Sequence, residues 1–261
     1  MPIPVLQAVS YQRTMETGRT KPCLFLCEDA ANGILGEYVV KLKAGLETRE
    51  NGLAAELIAS QLAAVLDMQT PEVAIINIDP LLAEAVSDPA LARKIVESQG
   101  LNFGSKVLTG GFDTWPIGKQ LPSGLFQTAA EIFAFDALIQ NPDRRPEKPN
   151  VLWKADQLCI IDHEMSFSFV YAIGAQAEPW EISSLAWLNN HLFYRELKGR
   201  TISFDRFAGA LDAVSGDIIN GIMSYIPDVW RNENVVKIQN HIMQVASHAN
   251  EFIDEVRRTL A

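Results

Sequence analysis

Asp143 in Asn141-Pro142-Asp143, Asn150 and Asp162 in Ile161-Asp162-His163 are spaced closely enough to share one site. An apolar segment, residues 126–140, leads into the first aspartate. A short hairpin, residues 151–153 and 158–161, ends at the second. Phosphoryl transfer from ATP asks for such a set: one carboxylate orients the attacking hydroxyl, while an amide oxygen and a second carboxylate hold the magnesium that bridges the phosphates. There is little covalent chemistry for the protein to do, so positioning and charge neutralisation supply most of the rate. Magnesium prefers hard oxygen ligands and keeps several waters, so two protein ligands are enough. Each residue also has a local alternative: turn chemistry for Asp143, a turn cap for Asn150 and a helix cap for Asp162.

The run Asn-Pro-Asp-Arg144, a later Asn150 and Ile-Asp-His163 resemble the HipA-like kinases, and more distantly the phosphatidylinositol kinases. The resemblance spans residues from about 10 to 170 and implies an α+β, two-lobed protein-kinase-like fold that binds ATP and Mg2+. It implies Asp143 as catalytic base or hydroxyl-orienting group, Asp162 as the main magnesium ligand and Asn150 as the second. In such loops Asp to Asn is usually five residues; here it is seven, with Lys148 at the five-residue position. Either the loop bulges at Pro146 and Pro149 to bring Asn150 in, or Lys148 replaces the amide.

The N-terminal residues fit the same scheme. Lys41 ends the strand Tyr-Val-Val-Lys, where a kinase puts the lysine that contacts the ATP phosphates. Glu56 precedes Leu62-Ala63 as the family's glutamate does, so it would pair with Lys41; Glu50 is the rival. Thr17, Gly18 and Thr20, in the loop between the first two strands, would offer backbone N–H groups to phosphate. The implied acceptor is a protein Ser/Thr hydroxyl. The alternative is a pseudokinase acting as a nucleotide-binding or protein-interaction module, and a small-molecule or lipid kinase ranks last. Family members carry an extra N-terminal subdomain; with the strand lysine at 41, the expectation is a kinase core without it. A regulatory protein partner is compatible with the resemblance.

The elements that must position these groups follow from periodicity. Strands are predicted at residues 8–13, 23–28, 37–42, 73–78 and 104–108, from alternation and β-branched runs. Residues 53–66 read as a helix rich in Ala and Leu, and residues 80–99 as one helix or two. From Ser183 onward everything reads as helix. The last helix carries apolar residues at 235, 238, 242, 245, 249, 252 and 256, a stripe that docks on its own core. The change from β-rich to helical sequence falls near 109–124, which gives an N-terminal lobe of 1–112 and a helical lobe of 113–261. Asp136 reads as a brace for the loop that follows it and His163 as shaping its loop; His191, His241 and His248 receive no role.

Composition sets the outer limits. At 261 residues, 48% hydrophobic and with a net charge of -10, the chain is an ordinary globular sequence poorly suited to gripping a phosphate backbone, so no direct nucleic-acid binding is expected. Arg144, Arg145 and Lys148 are a local basic knot, and the other cations are scattered. No signal peptide or membrane span is expected. Cys23, Cys27 and Cys159 lie on apolar segments and are odd in number, which points to buried thiols and a cytoplasmic, reducing setting.

Overall fold

The computed structural model describes residues 3–15, 20–174 and 177–261. The chain is a mixed α+β protein with a β-rich part and a helical part. Its residues group into two compact units. One comprises Met1–Leu57, Pro71–Thr109 and Tyr225–Arg231; the other comprises Ile58–Thr70, Gly110–Ser224 and Asn232–Ala261.

The first unit is organised by five strands: β1 (Val5–Thr14), β2 (Cys23–Glu28), β3 (Leu35–Lys41), β4 (Val73–Ile78) and β5 (Gly100–Lys106). They close into a barrel in the order β1-β2-β3-β5-β4, with β1 and β4 parallel and the other pairs antiparallel. The barrel closes through a short parallel pairing of Val5, Leu6 and Gln7 with Ile75, Ile76 and Asn77. Alternating residues from these strands, among them Leu6, Cys23, Phe25, Cys27, Val40 and Ile76, form one core with Leu91 and Ile95 of α2 (Pro89–Glu97). Cys23 and Cys27 are fully buried free thiols, and burial pushes the Cys27 thiol up to about 12. Gly104 is required by the β4–β5 pairing, because a Cβ there would lie 2.5 Å from Cγ1 of Ile76. Residues 80–99 resolve into a 3-10 segment, Pro80–Ala85, and α2, which Asp88 caps by accepting from Ala90 N–H at 2.9 Å.

Helix α1 (Glu50–Val65) is buried almost all round, which explains its weak amphipathic pattern. Its residues divide between the units at Leu57/Ile58.

The second unit is built on α3 (Phe126–Leu138), in which every residue from Ala129 to Leu138 is buried. A small antiparallel sheet joins β6 (Asp113–Thr114), β7 (Val151–Lys154) and β8 (Gln157–Ile160). The two-residue β6 carries no periodic signal and was not expected. Among the described residues, the α-helices α4 (Tyr194–Leu197), α5 (Asp205–Asp212), α6 (Gly216–Ser224), α7 (Glu233–Ser247) and α8 (Ala249–Leu260) follow. The single last helix read from sequence is therefore two helices, broken at His248. The apolar stripe runs on across the break without losing phase, so periodicity does not reveal it. Val235, Ile238, Ile242, Val245, Phe252 and Val256 of the stripe are all buried. Among the described residues no helix is long and apolar enough to cross a membrane.

Candidate active site

In the β-rich unit, Lys41 at the end of β3 and Glu56 on α1 form a buried ion pair. The pair closes because Glu56 lies in the fully buried stretch of α1. The rival Glu50 sits at the half-buried start of that helix, with its carboxylate 4.0 Å from Lys43 instead. Of the phosphate-loop residues, Thr17 and Gly18 lie outside the described residues. Thr20 is in a turn, and its carbonyl accepts from Nζ of Lys94 at 2.5 Å. Lys94 comes from α2 and reaches that carbonyl past Gly45, where a Cβ would collide with the lysine side chain. Sequence reading missed Lys94, whose partner lies 74 residues away.

In the helical unit, α3 ends at Leu138, and after Ile139 the positive φ of Gln140 turns the chain into the loop. Asn141 supplies the turn chemistry: its side chain accepts the N–H of Asp143 at 3.1 Å and donates to Oδ1 of Asp136 at 3.1 Å. The Asp143 carboxylate is thereby left to other partners. Arg145 and Lys148 then exchange two backbone hydrogen bonds of 3.0 Å, closing a tight turn over Pro146 and Glu147. This turn absorbs the two extra residues. It sends Lys148 Nζ back to 2.6 Å from Oδ2 of Asp143 and 3.0 Å from Oδ2 of Asp162. It also delivers Asn150, whose Nδ2 is 3.4 Å from Oδ2 of Asp143. The bulge and the lysine contact, two alternatives in the sequence, occur together. Burial works against the Lys148 charge, but Asp162 and Asp143 outweigh it and push its pKa up.

Asp162 follows β8 and caps no helix: the next helical turn, Ser168–Tyr171, starts after Phe167. Asn150 and Asp162 both have left-handed backbones, with φ of 50° and 61°, a region that Asn and Asp tolerate better than most residues. They flank the open end of the β7–β8 hairpin, where Ile161 N–H donates to Asn150 C=O at 3.1 Å.

One buried residue ties these pieces together. Arg144 donates through Nε to Asp136 Oδ2 at 2.5 Å and through Nη2 to Oδ1 at 3.3 Å. Its Nη1 donates to the Asn150 carbonyl and, at 3.3 Å, to the Ile161 carbonyl. A single guanidinium thus fixes the helix, the asparagine and the residue before Asp162. Burial alone would raise the Asp136 carboxyl, but the Arg144 charge and the His191 hydrogen bond hold it at about 2. His191 Nε2 donates to Asp136 Oδ2 at 3.0 Å, while its Nδ1 accepts from Phe193 N–H at 3.2 Å. That pattern requires the neutral Nε2–H tautomer, in keeping with the lowering of its pKa by burial. Asp136 is the brace expected from sequence. The role of His191 was missed, because its partner is 55 residues away and nothing local marks it. His163 is buried with its ring edge-on to Phe135.

A family model for HipA-like kinases matches residues 8–258. The chain belongs to the HipA-like kinase family. The match takes in the helical tail that the motif resemblance left out. Among solved structures, a Helicobacter pylori proinflammatory kinase, CtkA, is similar over 98% of both chains at 12% identity, with a TM-score of 0.54. At that identity the likeness shows a kinase fold and no more. Another similar chain comes from the Neurospora crassa PAN2–PAN3 complex, which contains the PAN3 pseudokinase. Its identity is 9% over 97% of this chain and 63% of that one, and its TM-score of 0.33 carries no argument. No curated protein matches. As a HipA-like kinase, the chain presents its Asp143, Asn150 and Asp162 at one loop-and-hairpin end, with Lys148 among them.

Proposed function

We propose that this chain is an ATP- and magnesium-dependent, two-lobed kinase that transfers the γ-phosphate to a Ser/Thr hydroxyl of a protein. Residues 1–112 would be the ATP-binding lobe and 113–261 the catalytic lobe. The observation that carries the reading is the meeting of the Asp143 and Asp162 carboxylates on one ammonium, with the Asn150 amide beside Asp143. Family membership supports the reaction class.

The donor chemistry fits magnesium: a carboxylate and an amide, both hard oxygen donors, on a loop and hairpin cross-tied by Arg144. Asp162 and Asn150 would hold the ion, which neutralises the phosphate charge developing in transfer. Asp143 would accept a hydrogen bond from the acceptor hydroxyl, orient its oxygen and take its proton as the new P–O bond forms and the bond from the γ-phosphorus to the β,γ-bridging oxygen breaks, releasing ADP. Lys41, kept in place by Glu56, would contact the phosphates, as would backbone N–H groups around Thr17, Gly18 and Thr20. The free, buried cysteines support a reducing compartment.

The test is transfer of labelled γ-phosphate from Mg-ATP to proteins of a cell extract, comparing wild type with Asp162→Ala. Labelling by wild type that disappears in the variant supports the proposal. Nucleotide binding without any transfer from wild type would point instead to a pseudokinase, the reading favoured by the seven-residue spacing from Asp143 to Asn150.

A further inference from the structure

Kinase sites of this design hold two magnesium ions, shared between a carboxylate after the hairpin and an asparagine of the catalytic loop. Here the fifth residue after the catalytic aspartate is Lys148, and the asparagine arrives two residues later. The Arg145–Lys148 turn, closed by two 3.0 Å backbone bonds, aims the lysine back at Asp143. Its Nζ engages Oδ2 of both aspartates, at 2.6 Å and 3.0 Å, and the other oxygen of Asp143 accepts from Arg145 Nη2 at 3.2 Å. Both oxygens of Asp143 therefore face cations of the chain itself. Asn150 turns its Nδ2 toward Asp143, at 3.4 Å from Oδ2 and 3.5 Å from the carbonyl oxygen, so its amide oxygen is directed away from that carboxylate.

These contacts settle the charge balance locally. Two carboxylates that converge on one point repel each other, and a cation between them offsets that repulsion. A divalent ion would normally supply that charge. Magnesium needs oxygens at about 2.0–2.1 Å in near-octahedral array, and it cannot share the space an ammonium fills. An ammonium is a single compact charge with three donors, enough to bridge two carboxylates and still point one N–H elsewhere.

We propose that Lys148 is a built-in cation that takes the place of a second metal ion, so that the nucleotide-bound site of this chain takes one divalent ion where the two-magnesium protein-kinase site takes two. The inference rests on the kinase reading above and adds a positioning residue to it. Lys148 touches Asp143 and Asp162 from the protein side and gathers an oxygen of each on one ammonium. Replacing it with asparagine restores an amide at the five-residue position and empties the space between the carboxylates. Replacing it with methionine empties that space without adding an amide.

The experiment is an EPR titration of Mn2+ into protein saturated with an equimolar non-hydrolysable ATP analogue, adenylyl imidodiphosphate, with the free-ion signal reporting what stays unbound. Wild type is expected to bind one Mn2+ per nucleotide complex, and Lys148→Asn and Lys148→Met two. Two ions bound by wild type, or one bound by both variants, would overturn the role of Lys148 while leaving the kinase reading standing. Failure of all three proteins to bind the nucleotide would overturn the kinase reading and this inference with it.

Discussion

Arg144 and Lys148 lie four residues apart; Arg144 gathers one carboxylate and two backbone carbonyls and Lys148 gathers two carboxylates, in opposite surroundings. Arg144 and Asp136 are fully buried, with His191 completing the cluster. Lys148, Asp143 and Asp162 keep side-chain exposures of 28%, 13% and 19%. In the dry cluster every partner is internal, down to the His191 tautomer. In the wetter one the partners are groups that a substrate or ion would also seek. In the proposed kinase, the difference separates the two tasks of the loop. Geometry is set where water is absent and a lost partner is costly, while chemistry is kept where partners can be exchanged.

The comparison is broken most severely at Arg144. Arg144→Met leaves the Asp136 carboxylate buried without its main partner, so stability should fall by about 3–5 kcal/mol, read from the urea midpoint. A loss below about 1 kcal/mol would mean that the dry cluster does not hold the loop. Asp143→Ala should do the reverse. Phosphoryl transfer should drop by about 10²- to 10⁴-fold while stability changes by no more than about 1 kcal/mol. A variant that unfolds as readily as Arg144→Met would erase the distinction between the clusters.

Acid sharpens the same contrast at a smaller amplitude. His241 is buried, donates Nε2–H to the Leu138 carbonyl at 2.7 Å and stacks on Phe169; burial pulls its pKa down to about 4. The unfolded imidazole takes up a proton below about 6.5, whereas the folded one resists until about 4. The unfolded state therefore binds more protons in that window, and stability should fall by about 3 kcal/mol as pH drops from 6.5 to 4. His191, also lowered by burial, adds to the loss in the same direction. Asp136, held at about 2, adds stability that is present above the ordinary carboxyl value of 3.8 and is lost as pH falls from there toward 2, because the unfolded carboxyl binds its proton first. Denaturation midpoints at several pH values check the window. His241→Gln should flatten the profile, and an unchanged profile would remove His241 as its source.

Much of this was legible in the sequence where the signal is local. Residues 23–28 and 73–78 are strands with the expected limits, because β-branched and apolar runs there end at turn residues. Asp143, Asn150 and Asp162 stand out because a turn, a hairpin and an apolar helix surround them. Glu56 over Glu50 followed from motif spacing, although helical projection favoured the other. What escaped depends on distant residues or on geometry without a pattern. His191 finds Asp136 across 55 residues, and Lys94 reaches the Thr20 carbonyl across 74. The break at His248 leaves the apolar stripe in phase. The Arg145–Lys148 turn needed knowledge that a bulge and a lysine contact can coexist.

The left-handed backbones at Asn150 and Asp162 place a limit on how this site tolerates change. At both positions the chain conformation itself admits Asn, Asp and Gly far more readily than longer or β-branched residues. Exchanges within that trio should leave the hairpin end folded and alter only what it can bind, whereas Asp162→Glu, conservative in charge, disturbs the backbone as well. A saturation library scored for folding and for transfer would therefore return two different lists at these two codons. The space between the lists is the room that evolution has for retuning the site without rebuilding it.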